Sequence, residues 1–270
     1  MSCGAWRYVG ASVRGTSHER TGLPCQDASE FRCVGAGADG PVLVLACADG
    51  AGSAELAAEG ARLACSVIVE EASRFVAEGG SVACMDDGML PFWFERAAES
   101  IRIQAEFMER TPRDFACTLL VALLDGWGAA FAQLGDGVIV VGDGSAYRPV
   151  FWPQSGEYAN MTYFITEEAH LDLVQVEVRP EPVAEVALLT DGLQMLALRF
   201  GERAVHDPFF TPMFGALRQQ GPGEADGLRG PLGDFLSSAP VNARTDDDKT
   251  LLLATRLEVR ESDGASGTEA

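Results

Sequence analysis

The stretch "CADGAGSAELAAEGA", residues 47–61, ends the apolar run "VLVLACA" with an aspartate, passes through two glycines and then becomes helical. A continuous apolar run of this length, bounded by turn residues, reads as a strand buried on both faces. The helix is expected over 54–78. Leu56, Ala57, Ala61, Ala64, Val67, Ile68 and Ala72 recur at three- and four-residue spacing, Ser53 is a candidate N-cap with Glu55 in the first turn, and Gly79-Gly80 ends the run. Asp49 sits at the junction of strand and helix, where an aspartate either caps a turn or holds a ligand.

Outward from that junction, strands are expected at 5–13, 29–35 and 41–48, and a second amphipathic helix at 91–109, with Pro91 in its first turn. Residues 114–124, 127–134 and 137–142 read as an antiparallel set in which "LGDG", 134–137, is a tight turn. Further strands are expected near 161–166, 172–179 and 184–190, helices at 192–200, 208–219 and 225–238, and a last strand in "TLLLATR". Segregated strands and helices describe α+β layering rather than alternating βαβ winding. A single domain over 1–257 is expected, followed by a small, polar, disordered tail, 258–270.

The chain has 270 residues, and 40 Asp+Glu against 20 Lys+Arg give a net charge of −20. Such a surface repels nucleic acid phosphates and anionic membranes, so neither is an expected partner. No apolar stretch is long enough for a signal peptide or a bilayer span, which gives a cytoplasmic expectation. Seven cysteines without a C-x-x-C pair argue against a disulfide framework and a thiolate zinc site; three histidines without H-E-x-x-H spacing leave carboxylates as the main metal donors.

Four aspartates share one context. Asp49 follows "VLVLACA", Asp136 lies between two strands, Asp191 follows "VALLT", and Asp247 precedes "TLLLA". An isolated Asp-Gly is usually a turn. If these carboxylates converge to about 5 Å, each pair repels by roughly 3 kcal/mol at an effective dielectric of 20, which calls for bound cations. Oxygen donors alone suit Mg²⁺ or Mn²⁺.

The segments "GTSHERTGLPCQDA", "VLACADGAGSA", "FACTLLVALL", "LGDGVIVV", "LLTDGL" and "DDDKTLLLA" occur in an order that resembles the metal-dependent protein phosphatases of the 2C type, in particular their compact, stand-alone bacterial branch; "GEYANMT" adds to the match. The resemblance implies an αββα sandwich, two antiparallel sheets flanked by helices, with a site for two Mn²⁺ or Mg²⁺ ions and a third, weaker one. It implies that Asp49 bridges two metals with the Gly50 carbonyl on one of them, that Asp191 and Asp247 bind the other, that Asp27 acts through water, and that Asp136 completes the third site with Asp191. A water shared by the two ions would then attack phosphorus in line. The implied substrate is a phosphoserine or phosphothreonine protein made by a companion kinase.

Two positions depart from the family. Ala51 stands where a histidine is common, and Gly22 where a phosphate-binding arginine is usual; His18 and Arg20 are the candidate substitutes for substrate binding. These gaps are what an alternative would rest on, a catalytically weak metal-binding module that recognises phosphoproteins. The segment 147–164, rich in aromatics, either contacts substrate or packs Phe151, Trp152 and Tyr163 on the sheet, and Thr118 is expected to serve strand packing. Other motifs fail on context: "GAGADG", 35–40, is followed by Pro41 and a strand instead of a helix, "DDDKT" precedes its strand where an aspartate nucleophile would follow one, and no cysteine has arginine six residues on.

Overall fold

The computed structural model describes residues 5–37, 40–155 and 162–257. The expected tail at 258–270 and most of "GEYANMT" lie outside the described residues. One sheet is built from β1 (Arg7–Val13), β6 (Val138–Gly142), β7 (Tyr147–Pro149), β9 (Glu185–Leu189), β12 (Gly223–Glu224) and β13 (Lys249–Thr255), in the order β12-β1-β13-β9-β6-β7. The other is built from β2 (Ala28–Gly37), β3 (Gly40–Ala48), β4 (Leu119–Leu124), β5 (Ala129–Leu134) and β8 (Gln175–Arg179), in the order β2-β3-β4-β5-β8. Pairing is antiparallel throughout both sheets except for the two-residue β12, which runs parallel to β1. β10 (Leu198–Arg199) and β11 (Ala204–Val205) form a separate ribbon.

Eight helices accompany the strands among the described residues: α1 (Thr16–Thr21), α2 (Ala57–Ala77), α3 (Met89–Phe107), α4 (His170–Leu173), α5 (Gln194–Ala197), α6 (Asp207–Arg218), α7 (Asp226–Leu236) and α8 (Ala239–Asn242). Alternation along the strands separates three cores. In β4, Leu119, Val121 and Leu123 face α2 and α3, whereas Leu120 and Ala122 face the other sheet. In β13, Leu252 and Ala254 meet that inter-sheet core while Leu251 and Leu253 face α6 and α7. The layers are therefore helix, sheet, sheet, helix, and a strand apolar on both faces is the local signature of that burial. This is the expected αββα sandwich.

Several local expectations change: residues 112–115 are a 3-10 turn and β4 starts only at Leu119, residues 170–173 are helical and β8 starts only at Gln175, and the helix expected at 192–200 is confined to Gln194–Ala197. "LGDG" is not a hairpin turn: β5 and β6 belong to different sheets, and the segment carries the chain across the sandwich with Gly135 at φ +102°. α2 begins at Ala57, later than expected, because the Leu56 amide donates to the Asp114 carbonyl at 2.7 Å and residues 52–56 form a turn, so Ser53 is not the cap. No strand forms in the described part of 161–166. Of the aromatic segment, Tyr147 stacks on Phe214, Trp152 meets Phe200 edge-on, and Phe151 and Tyr163 pack against the cores. Cys33 is disulfide-bonded, and Cys25, Cys47, Cys65, Cys84 and Cys117 are free thiols. No helix among the described residues is long and apolar enough to cross a membrane.

Candidate metal centre

Register brings the aspartates together. Ala28 pairs with Ala48, so Asp27 and Asp49, each one residue farther out, leave the same end of one sheet. Val138 and Leu251 both pair with Leu189, which places the segments bearing Asp136, Asp191 and Asp247 at the matching end of the other. One carboxylate oxygen from each of Asp49, Asp136 and Asp191 lies within 4.8 Å of the other two. Asp27 is buried beside Asp49. Asp247 is exposed at the rim, outside that tight trio, yet close enough for its charge to act on Asp49 and Asp191.

The backbone under the trio is held rigidly. Thr118 bonds Asp49 twice: its hydroxyl accepts from the Asp49 amide at 3.0 Å and its amide donates to the Asp49 carbonyl at 2.8 Å. Thr118 therefore clamps the candidate bridging residue instead of only filling the strand. Gly50 is buried, and a Cβ there would lie 2.8 Å from both the Gln26 carbonyl oxygen and Ala57 Cβ, so only glycine fits. Gly52 has open space around it and has no such role. Gln194 Nε2 donates to the Asp136 carbonyl at 2.5 Å, tying together the loops of Asp136 and Asp191.

Asp27 Oδ2 accepts from the Thr190 and Thr250 hydroxyls, both at 2.8 Å, while its Oδ1 is buried without a partner. Thr190 precedes Asp191 and Thr250 lies just beyond Asp247, so Asp27 joins the two strand ends that carry them. Asp27→Ala is expected to strand buried hydroxyls and destabilise the chain by about 2 kcal/mol. Asp27→Asn keeps an acceptor for them and removes a buried charge, so chemical denaturation should show little loss. Equal losses in the two variants would separate Asp27 from this lattice.

Burial is the first cause of the carboxyl pKa shifts and mutual repulsion adds to it. Asp27 and Asp191 are pushed up to about 7, Asp49 is raised well above the usual carboxylate range, and Asp136 is raised as well. Because these folded-state values exceed the unfolded ones, the metal-free chain binds protons more tightly when folded. That stability is complete below the ordinary carboxylate range and is lost as pH rises through about 7. In chelator, Tm is expected to fall between pH 5.5 and 8, and excess Mn²⁺ should remove the fall. A flat metal-free profile would contradict the clustering.

Oxygen-only donors, a shared negative charge, and orphaned buried Oδ1 atoms on Asp27 and Asp136 fit a hard divalent cation. Beside the trio, the buried Asp248 organises the loop that precedes Asp27. Its Oδ1 accepts from the Gly15 amide at 2.6 Å, and its Oδ2 accepts from the Gln26 amide at 2.5 Å and meets His18 Nδ1 at 2.9 Å. His18 is thus anchored through one ring nitrogen. Arg20 pairs with Asp246 at 2.7 Å, both side chains being exposed at the rim. Lys249, the only lysine of the chain, is fully buried and donates to the Asp247 carbonyl and to Asn242, each at 3.0 Å, fixing the base of the Asp247 loop. In the sequence Asp248 and Lys249 are marked only by an acidic-basic run before a buried strand, a signal too general to assign them to the site.

A sequence model described as protein phosphatase 2C matches residues 14–237. The serine/threonine-protein phosphatase 3 of Escherichia coli K12 is 40% identical over 250 residues, covering 93% of this chain and 98% of that protein. The chain belongs to the protein phosphatase 2C family. Among solved structures, a bacterial serine phosphatase superposes with a TM-score of 0.65 at 15% identity, covering 93% of this chain and 98% of that one. The serine/threonine phosphatase of Staphylococcus aureus superposes at 0.57 and 15%, covering 92% and 94%. At those identities the structures share the fold of this phosphatase 2C chain.

Ala51, where the family commonly has histidine, is buried against Ala54, Ala57 and Ala116, with Phe164 beside them. Its amide donates to the Ala116 carbonyl at 2.9 Å. A larger side chain at 51 would overpack this cluster.

Proposed function

We propose that the chain hydrolyses phosphoserine and phosphothreonine on proteins, using two Mn²⁺ or Mg²⁺ ions and a weaker third. The observation that carries this reading is the convergence of Asp49, Asp136 and Asp191 within 4.8 Å in a protein phosphatase 2C chain. Bound there, the cations would lower the pKa of a water and neutralise phosphoryl oxygens. Asp49 and the Gly50 carbonyl, Asp191 and Asp247 are assigned as the direct ligands of the main pair, Asp27 acts through water, and Asp136 serves the third ion with Asp191.

His18 and Arg20 are assigned to the substrate. Arg20 exchanges its exposed partner Asp246 for phosphate, a low-cost swap because a surface ion pair contributes little. With His18 Nδ1 engaged by Asp248, Nε2 is the nitrogen left to meet the phosphoryl group or the leaving oxygen. No side chain at position 51 can supply that proton. The substrate reading implies a kinase that phosphorylates the same protein in a cytoplasmic setting.

Phosphate release from phosphoserine, phosphothreonine and phosphotyrosine peptides, with Mn²⁺ and with excess chelator, tests the proposal. Cleavage of the first two that vanishes in chelator is the expected result. Metal-dependent peptide binding without release would instead favour a phosphoprotein-binding module, and release in excess chelator would overturn the metal assignment.

A further inference from the structure

On the outer face of the first sheet, α5, α6 and α7 enclose a cavity of about 730 Å³. Val9 and Leu253 supply its sheet-side floor, and the helices supply Leu196, Phe209, Met213, Leu228, Leu232 and Phe235. Volume and lining match sites for small organic ligands, which combine an apolar enclosure with a few fixed polar groups. Phe235 is 38% and Met195 58% exposed, so apolar surface continues to the mouth.

The polar groups are all of one kind. Among the described residues Arg199, Arg244 and His206 line the cavity and no carboxylate does, although acids outnumber bases by 40 to 20 in the chain. Arg199 is oriented, its Nε–H donating to His206 Nδ1 at 3.2 Å, with Glu202 3.5 Å from Nη1 outside the lining. Arg244 reaches only the Met195 carbonyl, at 3.5 Å, and forms no ion pair among the described residues. An apolar cavity edged by guanidinium groups selects a molecule with an apolar body and one anionic head; a neutral apolar molecule would leave the guanidinium groups unused, and a cation would be repelled.

We infer that this cavity is a binding site for an amphipathic organic monoanion, separate from the aspartate centre. The two share covalent segments: Met195 follows Asp191 by four residues, and Arg244 precedes Asp247 by three. The site is thus tied through the chain to the segments that carry Asp191 and Asp247, and its inference does not depend on the reaction proposed above.

The test uses 8-anilinonaphthalene-1-sulfonate fluorescence on the full chain, with octanoate and octan-1-ol as competitors. One saturable site per chain is expected, and octanoate should displace the probe at a concentration about tenfold lower than octanol. Arg199→Gln/Arg244→Gln, at exposed positions, should weaken the probe about tenfold with an unchanged Tm. Ala216→Phe, which projects a ring into the cavity, should abolish the site while leaving Mn²⁺ affinity intact. No saturable binding, equal competition by octanol, or wild-type affinity in the arginine variant would each overturn the inference; the arginine variant decides the matter even if Ala216→Phe fails to fold.

Discussion

Asp49→Asn is expected to lower kcat on a phosphothreonine peptide by about three decades or more, with saturating Mn²⁺, while the chain stays folded. Asn keeps the shape but replaces one carboxylate oxygen by an NH2 group that cannot ligate a cation, and removes the negative charge, at a residue whose carboxylate lies beside those of Asp136 and Asp191. The backbone clamp by Thr118 does not depend on the side chain. In chelator the variant should be as stable as the wild type or more so, because a carboxyl crowded by Asp27, Asp191 and Asp247 has been replaced by a neutral amide. Steady-state kinetics and thermal unfolding give both readings. Activity within tenfold of wild type would make Asp49 a turn residue.

Gly192→Ala is expected to cost about 3 kcal/mol of stability and at least roughly a hundredfold in kcat/KM. A Cβ at this position would stand 2.0 Å from the Asp248 carbonyl oxygen, a backbone atom that cannot rotate away. Relief requires the 3-10 turn Asp191–Leu193 to part from the loop of Asp247 and Asp248, which separates two assigned ligands and disturbs the His18 anchor. Gly52→Ala is the control, since nothing lies within 4 Å of its Cβ position, and it should be neutral within about 0.5 kcal/mol. Equal behaviour of the two glycine variants, by denaturation and kinetics, would show that the close approach at Gly192 is not required.

The difference between Gly52 and Gly192 illustrates how far the sequence could be read. Gly52 lies three residues after Asp49 and Gly192 directly after Asp191, and nothing in their local sequence sets them apart; only the neighbouring loop, 56 residues away along the chain at Asp248, makes Gly192 obligatory. The same holds for His18, whose anchor Asp248 is 230 residues distant. Ala51 offers a third case. In the sequence it stands where the family commonly has histidine, whereas in the fold it belongs to a cluster of small apolar residues with Ala54, Ala57 and Ala116.

Strands buried on both faces, long amphipathic helices and aspartates at strand ends were determined by the sequence alone, because periodicity and Asp-Gly breaks are expressed over a few residues. The tertiary structure alone decided which strand joins which sheet. β5 and β6 are both apolar on both faces, so nothing local distinguishes a hairpin at "LGDG" from a crossing between sheets. That crossing, together with the pairing of Ala28 with Ala48 and of Leu189 with Val138 and Leu251, sets which carboxylates repel one another. The convergence of Asp49, Asp136 and Asp191 is a property of register across two sheets, and register is fixed by packing between distant segments.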